Sequence, residues 1–210
     1  MKLWEILVAG GYTMIPLALC SLLALMIIIY KLFDLRTSRF IDYDEVRKLR
    51  RWIGNNEIET AKIHCTNHRG TFTNIVGRAL EARGGGELAI REAIEEGGRY
   101  EIPKIERYLG ALRTIASISP LLGLFGTVIG MINVFDRIKN VGLGRVTEFS
   151  GGIAEALITT ATGLAIAIPA LVLHNYFVNK SETIILEIEK NSSEVMRLLI
   201  ERETVEEDAV

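Results

Sequence analysis

Charge is what this 210-residue chain most conspicuously goes without: the windows Ile6–Tyr30, Thr114–Phe135 and Gly151–Asn179 carry almost none. Each reaches or exceeds the roughly 20 apolar residues that cross a bilayer core as a helix. With 49% hydrophobic residues and a positive mean hydropathy, the chain is too apolar for a soluble domain of this size. Cysteine is scarce as well. Cys20 lies in the first window and Cys65 in the charged segment after it, so no disulfide is expected. Too few β-branched alternations occur between Asp42 and Arg99 for strands. No nucleophile–base constellation is present, so an enzyme has nothing to stand on. The Gly84-Gly85-Gly86 triplet is not followed by Gly-Lys-Ser/Thr and no strand precedes it, which excludes a phosphate cradle. His64-Cys65-x-x-His68 offers no fourth ligand, so neither a metal nor a cofactor is expected. The first window has a nearly uncharged lead-in and no A-x-A site, so it reads as a retained anchor rather than a cleaved leader.

What charge there is sorts by position. Lys31, Arg36, Arg39, Arg47, Lys48, Arg50 and Arg51 follow the first window, and Arg99, Lys104, Arg107 and Arg113 precede the second. Lys2 is the one basic residue before the first window, and Arg137, Lys139 and Arg145 lie in the loop between the others. The positive-inside rule therefore predicts a periplasmic N-terminus, a cytoplasmic segment between the first two spans, and a cytoplasmic tail. These basic residues match topology better than nucleic-acid binding.

The expected architecture is an all-α integral membrane protein with three transmembrane helices and long cytoplasmic extensions. Residues 1–11 form an interfacial lead-in with Trp4, and 12–40 the first span, its helix running to about Phe40. Residues 41–102 form a cytoplasmic helical domain, with Val46, Leu49 and Ile53, and Ile75, Ala79 and Leu80, at helical spacing. Breakers fall at Gly54-Asn55-Asn56, at 67–70 and at 84–86. Pro103 is read as the first turn of a helix that continues through Gly110, giving a second span with its extension over 103–137. A short periplasmic loop covers 138–147, the third span 148–179, and a C-terminal helix and tail 180–210. In that tail Ile184, Ile185, Ile188, Val195, Leu198 and Leu199 make an apolar packing stripe.

The third span holds Glu155, an acid inside an otherwise apolar run. At membrane depth a carboxylate costs about 2.5–3.5 kcal/mol on insertion scales, so it is expected to face protein or a watery path rather than lipid. At 100° per residue, Thr159 and Thr162 lie about 40° and 20° to either side of Glu155, and Thr160 about 140° away. A carboxyl so placed suits proton binding and release, and a proton crossing the membrane releases about 2.3 kcal/mol per 100 mV. The bland alternative is a protonated acid that merely hydrogen-bonds a neighbouring helix. In the second span Pro120 kinks the helix, and Gly123, Gly126 and Gly130 recur at i, i+3 and i+7, a strip that lets backbones approach closely in lipid. Gly163 and Pro169 play corresponding parts in the third. One helix cannot enclose a path, so self-association, a partner helix or both are expected, with membrane lipids around them.

Over Ser117–Phe177 the chain resembles the MotA/TolQ/ExbB proton-channel family, and its ExbB branch most. The likeness rests on Gly123-Leu124-Phe125-Gly126-Thr127-Val128-x-Gly130 and on Gly152-Ile153-Ala154-Glu155-Ala156-Leu157-x-x-Thr160-Ala161-x-Gly163-Leu164-x-x-Ala167-Ile168-Pro169. The resemblance implies a bacterial inner-membrane homopentamer whose second and third spans line a central pore. That pore would hold the single-span helices of an ExbD-like dimer, each with a membrane aspartate, and a TonB-like protein would carry the work to outer-membrane receptors. It also implies that Thr127, Glu155 and Thr160 line the proton pathway, whereas helical phase favours Thr159 and Thr162 as secondary pore positions. Two alternatives stay open: a TolQ-like subunit energising a Tol-Pal-type envelope system, and a static membrane scaffold.

Overall fold

The computed structural model describes residues 11–35, 40–68, 70–141 and 146–207. Among these residues there are seven helices and no strand: α1 Met14–Asp34, α2 Tyr43–Gly54, α3 Ile58–Asn67, α4 Thr71–Glu81, α5 Gly86–Glu106, α6 Leu109–Val141 and α7 Val146–Glu207. Three of them, α1, α6 and α7, are long and apolar enough to cross a membrane. The described residues fall into two compact units. The first comprises the chain up to Lys31 with Tyr108–Tyr176; the second comprises Leu32–Arg107 with Phe177 onward. Residues 1–10 of the lead-in expected over 1–11, and positions 142–145 of the expected loop, lie outside the described residues.

In the first unit, α1 buries one narrow stripe, Met14, Leu17, Cys20 and Ala24, at three- and four-residue spacing. Its other faces leave Leu19, Leu22, Leu25, Met26 and Ile29 at least half exposed within the chain, the distribution a lipid-facing helix needs. Helices α6 and α7 meet through small residues. A Cβ added to Gly163 would lie 2.5 Å from the Ser119 carbonyl oxygen and 3.1 Å from the Gly123 Cα. One added to Gly130 would lie 2.7 Å from the Ala156 Cβ, and one on Gly152 2.6 Å from a Val134 methyl. The pairing runs antiparallel along the seam, and dispersion between closely approaching backbones holds it where no hydrophobic drive exists.

The second unit is built from short amphipathic helices. Asp42 caps α2, its carboxylate accepting the Asp44 N–H at 2.9 Å. Val46, Leu49 and Ile53 are buried along α2, as are Ile75, Ala79 and Leu80 along α4, at the positions their spacing predicts. The distal half of α7 adds Ile184, Ile188, Val195 and Leu199 to this core, all almost fully buried, while Ile185 and Leu198 are half-buried. Polar ties fasten α2 to α7: Tyr43 donates to Glu187 at 2.7 Å, and Arg50 donates to Asn191 at 2.6 Å and pairs with Glu194. Buried Glu101 on α5 accepts from Asn74 at 3.0 Å and from Lys104 at 2.6 Å. Its buried carboxyl is therefore hydrogen-bonded rather than left without partners.

Several helix boundaries differ from expectation: α6 runs on to Val141 and α7 begins at Val146, so helix takes up both ends of the loop expected over 138–147. Pro103 does not open the helix of the second span; it sits inside α5, which ends at Glu106. The chain breaks at Arg107 and Tyr108, where Tyr108 adopts a left-handed φ of 68°, and α6 starts afresh at Leu109. Pro103 leaves the Arg99 carbonyl without its helical donor but does not end α5, which stops where the left-handed Tyr108 breaks the chain. Likewise α1 ends at Asp34, with Leu35 in a turn, rather than near Phe40. The apolar run that carries it stops at Phe33 and a polar stretch follows; residues 36–39 lie outside the described part.

The His64 and Cys65 segment is accounted for by packing. His64 stacks on His68 with ring centroids 4.1 Å apart, lies 4.9 Å from the Trp52 ring and hydrogen-bonds Glu45. Burial pushes the Glu45 carboxyl up, but hydrogen bonds from Lys48 and His64 outweigh it and hold the group below its ordinary value. The stability Glu45 lends is thus present above the ordinary carboxylate range and is lost as pH falls through the lowered value. Burial, followed by the nearby Glu45 charge, raises the Cys65 thiol from 9.0 to about 11. In a Cys20→Ala background, folded Cys65 should react with a soluble maleimide at neutral pH about a hundredfold more slowly than the unfolded chain, because the thiolate is the nucleophile. Equal rates would show that α3 does not bury it.

Candidate functional site

Around Thr159 on α7, polar side chains meet the glycines of α6 and the start of α1. Thr159 is 1% exposed; its hydroxyl donates to the Ala156 carbonyl at 2.6 Å, and it lies 3.5 Å from the Gly123 carbonyl of α6. Thr160 is half-buried and donates across the helix pair to the same Gly123 carbonyl at 3.0 Å. Gly123 brings this about: with no side chain it lets the α7 backbone come close, a Cβ there lying 2.9 Å from the Thr159 carbonyl oxygen and 3.0 Å from the Thr160 Cα. Thr127 and Thr162 bond back to their own helices, to the Leu124 carbonyl at 2.6 Å and the Ile158 carbonyl at 2.8 Å, the usual habit of a transmembrane threonine. Both are half-buried. Gly126 packs beside the Thr159 hydroxyl, and Gly130 against Ala156, one turn below. Pro120 and Pro169 both stand inside continuous helices, each removing one backbone donor.

Glu155 is half-buried on α7, one turn before Thr159. The Glu155 and Thr159 side chains both face the start of α1: Glu155 reaches the backbone of Gly11, and the Thr13 hydroxyl shares the space over Gly126 with Thr159. Sequence reasoning singled out neither Gly11 nor Thr13. They precede the helix proper and carry no charge, and the one available signal was a glycine just ahead of a helix start. The structure therefore brings together Glu155, Thr159 and Gly126 with the opening of α1, and separately Thr160 with Gly123. Thr160 faces away from Glu155 because it faces α6, which accounts for the 140° that helical phase leaves between them. In the crossing contact, Thr160→Val should lower stability by about 1 kcal/mol, the worth of one hydrogen bond inside an apolar helix pair. Thr160→Ser should retain it. Thermal unfolding in detergent reads this, and identical midpoints for all three chains would remove the bond from the account.

Among the described residues no cluster of three or more His, Cys, Asp or Glu side chains is positioned to hold a metal ion. What the site offers is one carboxyl, several hydroxyls and a close-packed helix pair. A family model, that of the MotA/TolQ/ExbB proton channel family, matches residues 67–190. The chain belongs to the MotA/TolQ/ExbB proton channel family. It is 34% identical over 179 residues to an ExbB-like biopolymer transport protein, ExbB-like 3, of Synechocystis, covering 80% of this chain and 81% of that one. It is 35% identical to the Tol-Pal system protein TolQ of Pseudomonas aeruginosa, covering 74% of this chain and 68% of that protein. It is 31% identical to the biopolymer transport protein ExbB of Pseudomonas putida over 90% of this chain, which spans 59% of that longer protein. It is thus a membrane protein of a proton-channel family with ExbB and TolQ relatives, a transport subunit rather than a member of a known enzyme class. The matched range holds Thr127, Glu155 and Thr160 and leaves α1 outside it.

Proposed function

We propose that this protein is an ExbB-like proton-channel subunit of the bacterial inner membrane. With an ExbD-like single-span partner it converts the proton motive force into mechanical work on a TonB-like protein that serves import through the outer membrane. The observation that carries this reading is Glu155: an acid one turn from a buried threonine, within an apolar helix zipped by glycines to a second apolar helix. Glu155 exchanges the proton; Thr127 and Thr160 line the route, with Thr159 and Thr162 beside it. The subunits assemble as a homopentamer around a central pore occupied by two partner helices. The N-terminus lies in the periplasm and the C-terminus in the cytoplasm, as the basic residues flanking the spans favour.

The 35% identity to a TolQ supports a second reading, a subunit that energises a Tol-Pal-type envelope system with the same proton chemistry. Deletion in the source cell separates the two. Loss of proton-motive-force-dependent outer-membrane import, with detergent tolerance intact, is expected for the first. Envelope leakage with import intact would establish the second. Neither phenotype would overturn both and leave a static scaffold.

A further inference from the structure

The turn that opens α1 rests against the Glu155 carboxyl. Gly11 has a positive φ of 64°, and its carbonyl accepts the Met14 N–H at 3.1 Å, starting the helix. A Cβ placed on Gly11 would overlap Glu155 Oε1 and lie 3.5 Å from its Cδ. Two residues on, the Thr13 hydroxyl lies 2.9 Å from where a Cβ on Gly126 would stand, beside the Thr159 hydroxyl at 2.5 Å. Gly84 and Gly86 also have positive φ, 97° and 80°, but a Cβ on either would meet open space. At Gly11 two constraints coincide: a backbone that L side chains avoid, and a volume that the carboxyl fills.

We propose that Gly11 is a positioning residue for Glu155: the side-chain-free turn ahead of α1 is the seat against which the carboxyl rests, and it sets how far the acid reaches from α7. This rests on the reading of Glu155 as the proton-exchanging group and extends it to the first helix, which lies outside the family match. The turn closes off the rotamers that would carry the carboxyl into it, which limits where its oxygens can be presented. Any side chain at position 11 displaces it, and misplacement by about 1 Å costs up to about a hundredfold in rate where groups must align.

Gly11→Asn tests this, because asparagine tolerates positive φ and so keeps the turn while filling the seat. Its partner is Glu155→Asp, which withdraws the carboxyl by one methylene. The carboxyl C=O stretch of the purified full-length oligomer, assigned by infrared subtraction of Glu155→Gln, reports the seat directly. Proton-driven work in cells reports its consequence. G11N should shift the Glu155 band and lower activity about tenfold or more, whereas G11N/E155D should be no worse than E155D alone, the non-additivity of groups in contact. Gly84→Asn, with similar backbone and open space, should change neither readout. If G11N does not assemble, Gly11→Ala read by the same band takes its place. An unmoved band in the Gly11 variant overturns the seat, whether or not activity falls, since a loss without a band shift is merely structural. A fully active E155Q overturns the underlying reading instead.

Discussion

Glu155→Gln is expected to reduce proton-driven work to the level of a deletion strain while leaving membrane insertion and oligomer size unchanged. Glutamine keeps nearly the same volume and can occupy the same space beside Gly11 at the opening of α1. What it cannot do is take up and release a proton. Removing an ionisable group also relieves the insertion cost, about 2.5–3.5 kcal/mol at a helix centre, so the variant should be no less stable than the parent. That combination of equal or greater stability with complete loss of work separates a proton-exchanging site from a packing residue. If the acid were simply a protonated link between helices, the amide would serve as well and the pathway would continue. Energisation in cells, measured beside the oligomer's sedimentation in detergent, decides between them.

The second large effect belongs to the seam between α6 and α7. Gly163→Ala places a methyl 2.5 Å from the Ser119 carbonyl oxygen and 3.1 Å from the Gly123 Cα. Both are backbone atoms that no rotamer change can remove, so the helices must separate. The expected cost is about 2 kcal/mol, in the range for overpacking a close-packed contact. The displacement also pulls Thr160 from the Gly123 carbonyl that it now meets at 3.0 Å. Gly151→Ala is the matched control, on the same helix, where an added Cβ meets nothing within 4 Å. It should be neutral, or stabilising by up to about 1 kcal/mol through helix propensity. Unfolding midpoints of the two variants are expected to fall on opposite sides of the parent or nearly so. Similar losses in both would mean that the glycines do not set the helix separation.

Much of this was legible in the residues. Three nearly charge-free windows announce three membrane-length helices, because a bilayer demands length and tolerates little charge, a constraint strong enough to override local propensity. The small helices of the second unit follow from the spacing of Val46, Leu49 and Ile53 and of Ile75, Ala79 and Leu80, all buried. The interruption at Tyr108 was not legible. Its positive φ falls on a tyrosine, a residue type with no preference for that region, and Pro103 looks the same at a helix start as it does near a helix end. Nor was the partner of Thr160. Phase around a single helix gives angles relative to Glu155 but not which neighbour occupies each angle. The contact of Gly11 with Glu155 joins residues 144 positions apart (155 minus 11) and has no periodic signature at all. The burial of Glu101 is likewise a tertiary fact, its carboxylate accepting from Asn74 on another helix.

Proton exchange at Glu155 requires that it be shielded from acyl chains in the assembled protein. A nitroxide attached at Glu155→Cys, compared with one at Leu157→Cys, where the native side chain is 63% exposed in the single chain, measures that shielding. Oxygen, which concentrates in lipid, and a water-soluble paramagnetic reagent serve as the two relaxing agents. The label at 155 should be relaxed far less by oxygen than the label at 157, and more by the aqueous reagent. Oxygen relaxation at 155 equal to that at 157, with no aqueous access, would contradict proton exchange at Glu155.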